Sequence, residues 1–309
     1  MLVPTHSRPL TLEIAVASAL NQTIRDVEVL IIGDGATGAL RAKALELCAA
    51  DPRVRFFDHP KGAHHGEHYR HDAIMAARSD AIFYLCDDDI FMPTHVEQLL
   101  GLLETKNFVQ SMNGSINPAG EVDFYPADLS NALTIEWHLR DDVRYNSVSI
   151  TGTAHTKSFY LQIDDPWTTT PPDHWPDHYQ ARKFFRHPAR AAATSRRMTA
   201  LQLPTTQDGR SEWTEEERLV ELRRWADLAQ SPDGQRVIDE LVAAGVVPRM
   251  ERDYRRITAM HSELTMLMTE RSALLAELDV SRNAVLAMMA TWSWRLTRPL
   301  RFVRRMTLR

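Results

Sequence analysis

Four short apolar runs alternate with helix-period stretches over the first hundred residues, and this order constrains the fold more than any other feature of the chain. The runs are Leu2 to Pro4, Val27 to Ile32, Val54 to Phe57 and Ala81 to Leu85. Helical patterns over 10–21, 38–49, 67–78 and 93–104 lie between or after them. Strands joined through helices need long crossovers and therefore run mainly parallel, with the helices covering the sheet. The expected class is α/β. From about 107 to 165 the pattern turns to short strand-like pieces, such as Phe108 to Met112 and Ser147 to Thr151, separated by turn-forming Asn, Gly, Pro and Asp. The Pro-, Thr- and Asp-rich stretch Asp164 to Asp177 reads as a loop crossing a site. Helices resume at His178 to Phe185, Thr214 to Ala229 and Asp233 to Ala244. Glu215, Glu216 and Glu217 open the second of these, as the positive end of a helix dipole favours.

After Pro248 the chain changes character. Ile257, Met260, Leu264, Leu267, Leu274 and Leu278 recur at alternating three- and four-residue spacings, with Arg271 in the same seam. That heptad pattern fits an amphipathic helix packed on its own domain or a helix that pairs with another, and homodimerisation through a coiled coil is the favoured reading. The last fifteen positions hold Arg295, Arg298, Arg301, Arg304, Arg305 and Arg309 and no acid. Mixed with Trp292, Trp294 and Phe302, they read either as a peripheral membrane contact or as a plain basic terminus.

A formal net charge of −5 gives no reason to expect nucleic acid as a partner. Cys48 and Cys86, both in apolar surroundings, do not suggest a disulfide framework, so a reducing, cytoplasmic location is expected. No stretch approaches the ~18 apolar residues that a spanning helix needs, and no leader pattern opens the chain. Neither secretion nor membrane spanning is expected.

The strongest chemical signal is Cys86-Asp87-Asp88-Asp89, placed directly after the apolar strand that ends at Leu85. In an open parallel sheet the ligand crevice lies beyond the carboxyl ends of the strands. Carboxylates clustered there repel one another unless a cation joins them, and Mg²⁺ or Mn²⁺ binds through one or two carboxylates plus substrate phosphates. A solvated acidic turn capping the next helix is the alternative. A second strand, Val29 to Ile32, also ends in an acid, giving Gly33-Asp34-Gly35.

Pro4-Thr-His-Ser-Arg-Pro9, Ala19-Leu-Asn-Gln-Thr23, Val27-Glu-Val-Leu-Ile-Ile-Gly-Asp-Gly35 and the aspartate run occur in that order. Together they resemble family 2 glycosyltransferases, in particular bacterial envelope-polysaccharide members with a helical tail. The resemblance covers roughly residues 1–100. It implies the GT-A fold, a nucleotide diphosphate sugar as donor, a glycan or lipid-linked acceptor and inversion at the anomeric carbon. It also implies roles. Asp34 reads the base edge, Pro4 and His6 line the nucleoside pocket, and Asp87 and Asp88 take the ribose and metal positions, with Asp88 as the Mn²⁺ or Mg²⁺ ligand. Lys61, Arg70 or His71 faces the diphosphate, and His155 completes the metal or phosphate site. Asp177 serves as general base, with Asp173 as the competing carboxylate and helix capping as its structural alternative.

Three departures from the family pattern stand out. Gly33 replaces the usual first acid, His6 replaces an aromatic residue, and the chain opens inside its first strand. His64, His65, His68 and His71 invite a zinc reading, but no cysteine is near them and no H-E-x-x-H spacing appears. The expected organisation is a GT-A catalytic domain over 1–205, with a donor half at 1–105 and an acceptor half at 106–205. A helical extension at 206–248, a heptad helix at 249–290 and a basic tail at 291–309 follow. Two rival readings stay open: a nucleotidyltransferase, which would normally show a Gly-rich basic phosphate loop, and a non-catalytic scaffold of the same fold.

Overall fold

A computed structural model describes residues 1–204 and 209–297. Each apolar run of the first hundred residues becomes a strand: β1 Leu2–Thr5, β2 Val29–Asp34, β3 Val54–His59 and β4 Ala81–Phe83. Helices α1 Pro9–Leu20, α2 Gly38–Ala50 and α3 Tyr69–Ala76 connect them. Then follow β5 Ile90–Phe91, α4 His95–Leu103, β6 Phe108–Gln110, β7 Asn113–Ile116, β8 Val122–Tyr125, α5 Ala132–Leu139, β9 Thr153–Thr156 and α6 Lys157–Tyr160. The chain continues through α7 Pro176–Arg186, β10 Ala192–Thr194, β11 Ala200–Leu201, α8 Glu215–Gln230, α9 Gly234–Ala290 and α10 Trp292–Leu296.

The helical crossovers make β1, β2 and β3 a parallel sheet in the order β1-β2-β3. A second sheet runs β10-β6-β9-β4, with β9 antiparallel to both its neighbours. A parallel bridge from Leu2 to Tyr84 and the Leu85 N–H donating to the Leu2 carbonyl at 3.0 Å join the two. Successive β2 residues enter opposite layers: Val29 and Ile31 pack with Val3, Leu12 and Leu40, while Leu30 and Ile32 pack with Leu2, Ile74 and Tyr84. Burial on both faces is why this strand reads as an unbroken apolar run. The register sets Thr5 beside Gly33 and Asp34 beside His59, so Thr5, Asp34 and the turn after β4 share one sheet edge.

A third cluster, including Ile90, Ile116, Met198, Leu222, Trp225 and Ile238, packs the helical extension onto the small β5–β11 and β7–β8 sheets. Arg210 is buried beneath it, donating to the Ile116 carbonyl and pairing with Glu221. Thr214 and Glu217 form a reciprocal capping box at the start of α8. The extension therefore belongs to the compact unit Met1–Val246, and Val247–Arg309 forms a second unit.

Two elements differ from the sequence expectation. Ser147 to Thr151 is irregular, and β9 starts only at Thr153, after Gly152 turns at φ +86°. Side chains take the polar groups of this segment: Gln110 Nε2 donates to the Ser147 carbonyl at 3.3 Å, and Thr153 Oγ1 to the Ser149 carbonyl at 2.6 Å. Such side-chain bonds offer the backbone an alternative to a ladder. Second, α9 runs unbroken through Pro248. Proline removes the hydrogen bond to the carbonyl four residues back, but Ala244 and Pro248 are both exposed, so water can satisfy it. Among the described residues no helix is long and apolar enough to cross a membrane. The arginines from 298 onward, on which the membrane-contact expectation rests, lie outside the described residues.

Trp225 is 3 % exposed at the centre of the third cluster. Trp225→Ala is expected to lower the stability of the first unit by about 3–5 kcal/mol, read as an earlier urea midpoint. A loss under ~1 kcal/mol would mean that α8 is not integral to that unit.

Candidate active site

Thr5 ends β1, and its hydroxyl donates to Asp87 Oδ2 at 2.6 Å. Arg8, at the N-terminal end of α1, reaches Asp87 Oδ1 at 3.1 Å and Asp88 Oδ2 at 2.6 Å. Asp89 points the other way: it accepts from Thr151 Oγ1 at 2.6 Å and from the Leu203 N–H at 2.9 Å. Both oxygens of Asp87 and of Asp89 are thus engaged, whereas Asp88 has a partner on Oδ2 only. Burial, then repulsion from Asp89 and Asp87, pushes Asp88 up to about 8, and burial pushes Asp89 up to about 6. Arg218 on α8 adds a second guanidinium facing Asp88, with Thr11 and Trp213 beside it. Its own place is set by a hydrogen bond to the Arg210 carbonyl.

Asp34 ends β2 and organises the loop after β3. Its Oδ1 accepts from the Gly62 N–H at 2.6 Å and its Oδ2 from Lys61 Nζ at 2.5 Å, while His6 Nδ1 lies 2.6 Å from the Asp34 carbonyl oxygen. Gly66 closes this cradle at φ +59°; a Cβ there would sit 2.5 Å from Asp34 Cγ, so only glycine fits. His6, Asp34 and Lys61 thereby meet at one corner of the strand edge, while Pro4 lies within β1 opposite Ile32. Asp87 and Asp88 lie along the same edge.

Arg70 on α3 is 7 % exposed, and its Nε and Nη1 find no hydrogen-bond partner among the described residues. Its guanidinium stacks over Trp167 at 4.7 Å. Burial lowers its pKa, against the attraction of Cys86, Glu67, Tyr84 and Asp34. Glu67 is fully buried, with both carboxylate oxygens unpartnered. Buried polar groups without hydrogen-bond partners are costly to a fold. Asp177, in the first turn of α7, lies within the field of Arg70. Burial raises its pKa, countered by hydrogen bonds from the His178 N–H at 2.7 Å and from the Asn146 side chain. Trp175 takes the helix cap position, so Asp177 is not the cap residue itself. Asp173 is exposed.

Two expected site residues are placed elsewhere. His155 is fully buried in β9 with both ring nitrogens engaged, Nε2 with the Tyr84 hydroxyl at 2.7 Å and Nδ1 with the Thr156 carbonyl at 3.0 Å. Having no free lone pair, it is not a metal ligand here. His71 turns inward to the Tyr160 hydroxyl at 2.8 Å rather than toward a diphosphate. Among the described residues no group of three or more His, Cys, Asp or Glu is arranged to hold a metal by itself, the histidines of 64–71 included. Sequence reasoning missed Thr5, Arg8, Glu67, Thr151, Trp167 and Arg218. The only available signal was for Arg8 and Thr5, which sit inside the motif Pro4 to Pro9.

A family model described as glycosyl transferase family 2 matches residues 1–159, half of the chain. The chain is 32 % identical over 159 residues to a chondroitin synthase of Pasteurella multocida, covering 45 % of this chain and 16 % of that one. It is 29 % identical over 111 residues to an uncharacterized glycosyltransferase of Rickettsia bellii, covering 36 % and 16 % respectively. It thus spans about a sixth of the length of these curated relatives. Among solved structures, S. aureus TarS aligns with TM-score 0.50 at 12 % identity, over 79 % of this chain and 42 % of that one. TarS 1–349 in complex with UDP-GlcNAc aligns with TM-score 0.50 at 11 % identity, over 79 % and 70 %. At such identities the structural match establishes the GT-A type of fold. From the family match, the order of its motifs and the aspartates at the strand edge, the chain belongs to glycosyl transferase family 2.

Proposed function

We propose that the chain transfers a sugar from a nucleotide diphosphate donor to a glycan or lipid-linked acceptor hydroxyl, with inversion, in the assembly of a cell-envelope or extracellular polysaccharide. The observation that carries this reading is a set of charged groups short of hydrogen bonds among the described residues: one oxygen of Asp88, Nε and Nη1 of Arg70, and both carboxylate oxygens of Glu67. The nucleoside belongs at Pro4, His6 and Asp34, with Lys61 at the rim. The diphosphate belongs between Asp88 and the guanidinium of Arg70, with Arg8 and Arg218 beside it. The UDP-GlcNAc bound to TarS and the synthase named among the relatives support a nucleotide-sugar donor.

The donor set suits a hard divalent cation, Mn²⁺ or Mg²⁺. Asp87 and Asp89 are spent on the protein, and Asp88 offers one carboxylate oxygen beside the place of the phosphates, the sparse protein contribution these ions take. When bound, such an ion supplies charge neutralisation to the departing diphosphate. The residues do the rest. Arg70 and Arg8 orient the anion, and the loop cradled by Asp34 holds the nucleoside. Asp177 takes the proton from the acceptor hydroxyl as its oxygen attacks the anomeric carbon, and no enzyme-bound sugar forms. Trp175, 47 % exposed two residues before Asp177, presents an apolar face on which an acceptor ring can lie. Peripheral membrane attachment through the 291–309 tail belongs to the same reading and rests on the sequence alone.

Asp177→Asn is expected to lower kcat by roughly 10²–10⁴-fold while donor Kd stays within about twofold. An unchanged kcat would remove Asp177 from the chemistry. The base acts only when deprotonated, and its raised pKa moves the loss of activity upward, so the acid limb of kcat should lie above the usual carboxylate value of about 4. Arg70→Met is expected to weaken UDP binding by at least about tenfold, the loss of one charge-assisted hydrogen bond, and to leave uridine binding unchanged. Equal weakening of both in a calorimetric titration would place Arg70 away from the phosphates.

A further inference from the structure

Beyond residue 246 the described chain is almost entirely one helix, and from 251 to 290 its apolar stripe is uncovered by the described residues. Every residue from 251 to 290 is exposed, including Ile257, Met260, Leu264, Leu267, Leu274 and Leu278. Helices in water draw most of their stability from burying an apolar stripe, and this one extends about 58 Å between Met250 and Met288 at 1.5 Å per residue. Its stripe recurs every 3.5 residues. That is the period at which two helices wind around each other, not the 3.6 of a straight helix lying on a domain.

We infer that this stripe is covered by the same stripe of a second copy of the chain, in a parallel, in-register, two-stranded coiled coil. The charges select both the occupant and its direction. With Ile257, Leu264, Arg271 and Leu278 at the a positions of the heptad, Glu263, Glu270 and Glu277 fall at g and Arg282 at e. A parallel pair in register sets each Glu277 against Arg282 across the interface, the g-to-e contact that fixes partner choice in coiled coils. It also brings the partner's Glu270 beside Arg271, so the one charged side chain at the a and d positions from Ile257 to Leu278 meets a carboxylate at the edge of the interface. An antiparallel pair sets g against g instead. In the register centred on Glu270, which keeps the whole stripe paired, Glu263 would then face Glu277 and Glu270 would face its own copy, like charges at both contacts. A single charged a position is also the device by which coiled coils choose register and strand number.

The mass of the full chain in solution tests this directly. Light scattering on the eluting protein should give twice 35.3 kDa, and one or three times that mass would overturn the inference. Replacing both Leu264→Asp and Leu274→Asp should yield a monomer whose first unit melts unchanged; a dimer that survives them is built elsewhere. Glu277→Arg should weaken the dimer at least tenfold, and adding Arg282→Glu should restore it. An antiparallel pair would be strengthened by Glu277→Arg alone. Leu274→Cys, at a d position, should oxidise to a covalent dimer in the parallel arrangement, and failure to cross-link would reject it.

Discussion

Three consecutive carboxylates at one strand end are the constraint on which the rest of the site depends. Asp87, Asp88 and Asp89 cannot share that turn without compensation, and the fold spends separate groups on each. Thr5 and Arg8 hold Asp87, the Thr151 hydroxyl and the Leu203 N–H hold Asp89, and Asp88 keeps only Arg8. These contacts draw β1, the start of α1, the approach to β9 and the segment following β11 to one point. The aspartate run therefore ties together sequence-distant parts of the first unit, and among the described residues Asp88 is the carboxylate of the three with only one oxygen hydrogen-bonded.

The helical extension has its place in the same arrangement. Arg210 is buried with Glu221 and lends its carbonyl to Arg218, and Arg218 faces Asp88. A buried ion pair of this kind adds little net stability, yet losing one partner is strongly destabilising, so it fixes geometry more than it holds the fold together. The 206–248 segment lies beyond the part matched by the family model, and it reaches the aspartates all the same.

Much of the first half was legible in the chain because each layer is written in a local period. Val29 to Ile32 is apolar without interruption because both faces are covered, and the acid that follows marks the carboxyl end of the strand. The positions of Asp34, Asp87 and Asp88 at strand ends could be read that way. The role of Arg8 could not, since its contacts lie 79 and 80 residues away. Nor could the pairing of Arg70 with Trp167, which depends on how a loop with no period returns across α3. His155 was misread for a related reason. A histidine in a strand looks the same in sequence whether its ring meets a cation or, as here, a tyrosine hydroxyl and a carbonyl. The irregular path at Ser147 to Thr151 escaped because side chains both near and distant in sequence, Thr153 and Gln110 among them, take its polar groups.

The most direct test of the account is calorimetric titration of the protein with UDP-, GDP- and dTDP-sugars, with and without Mn²⁺, for the wild type and for Asp88→Ala. The account expects one nucleotide series to bind, to bind more tightly with the ion, and to lose that dependence in Asp88→Ala. Binding of no nucleotide sugar under any of these conditions would contradict a donor site at this strand edge.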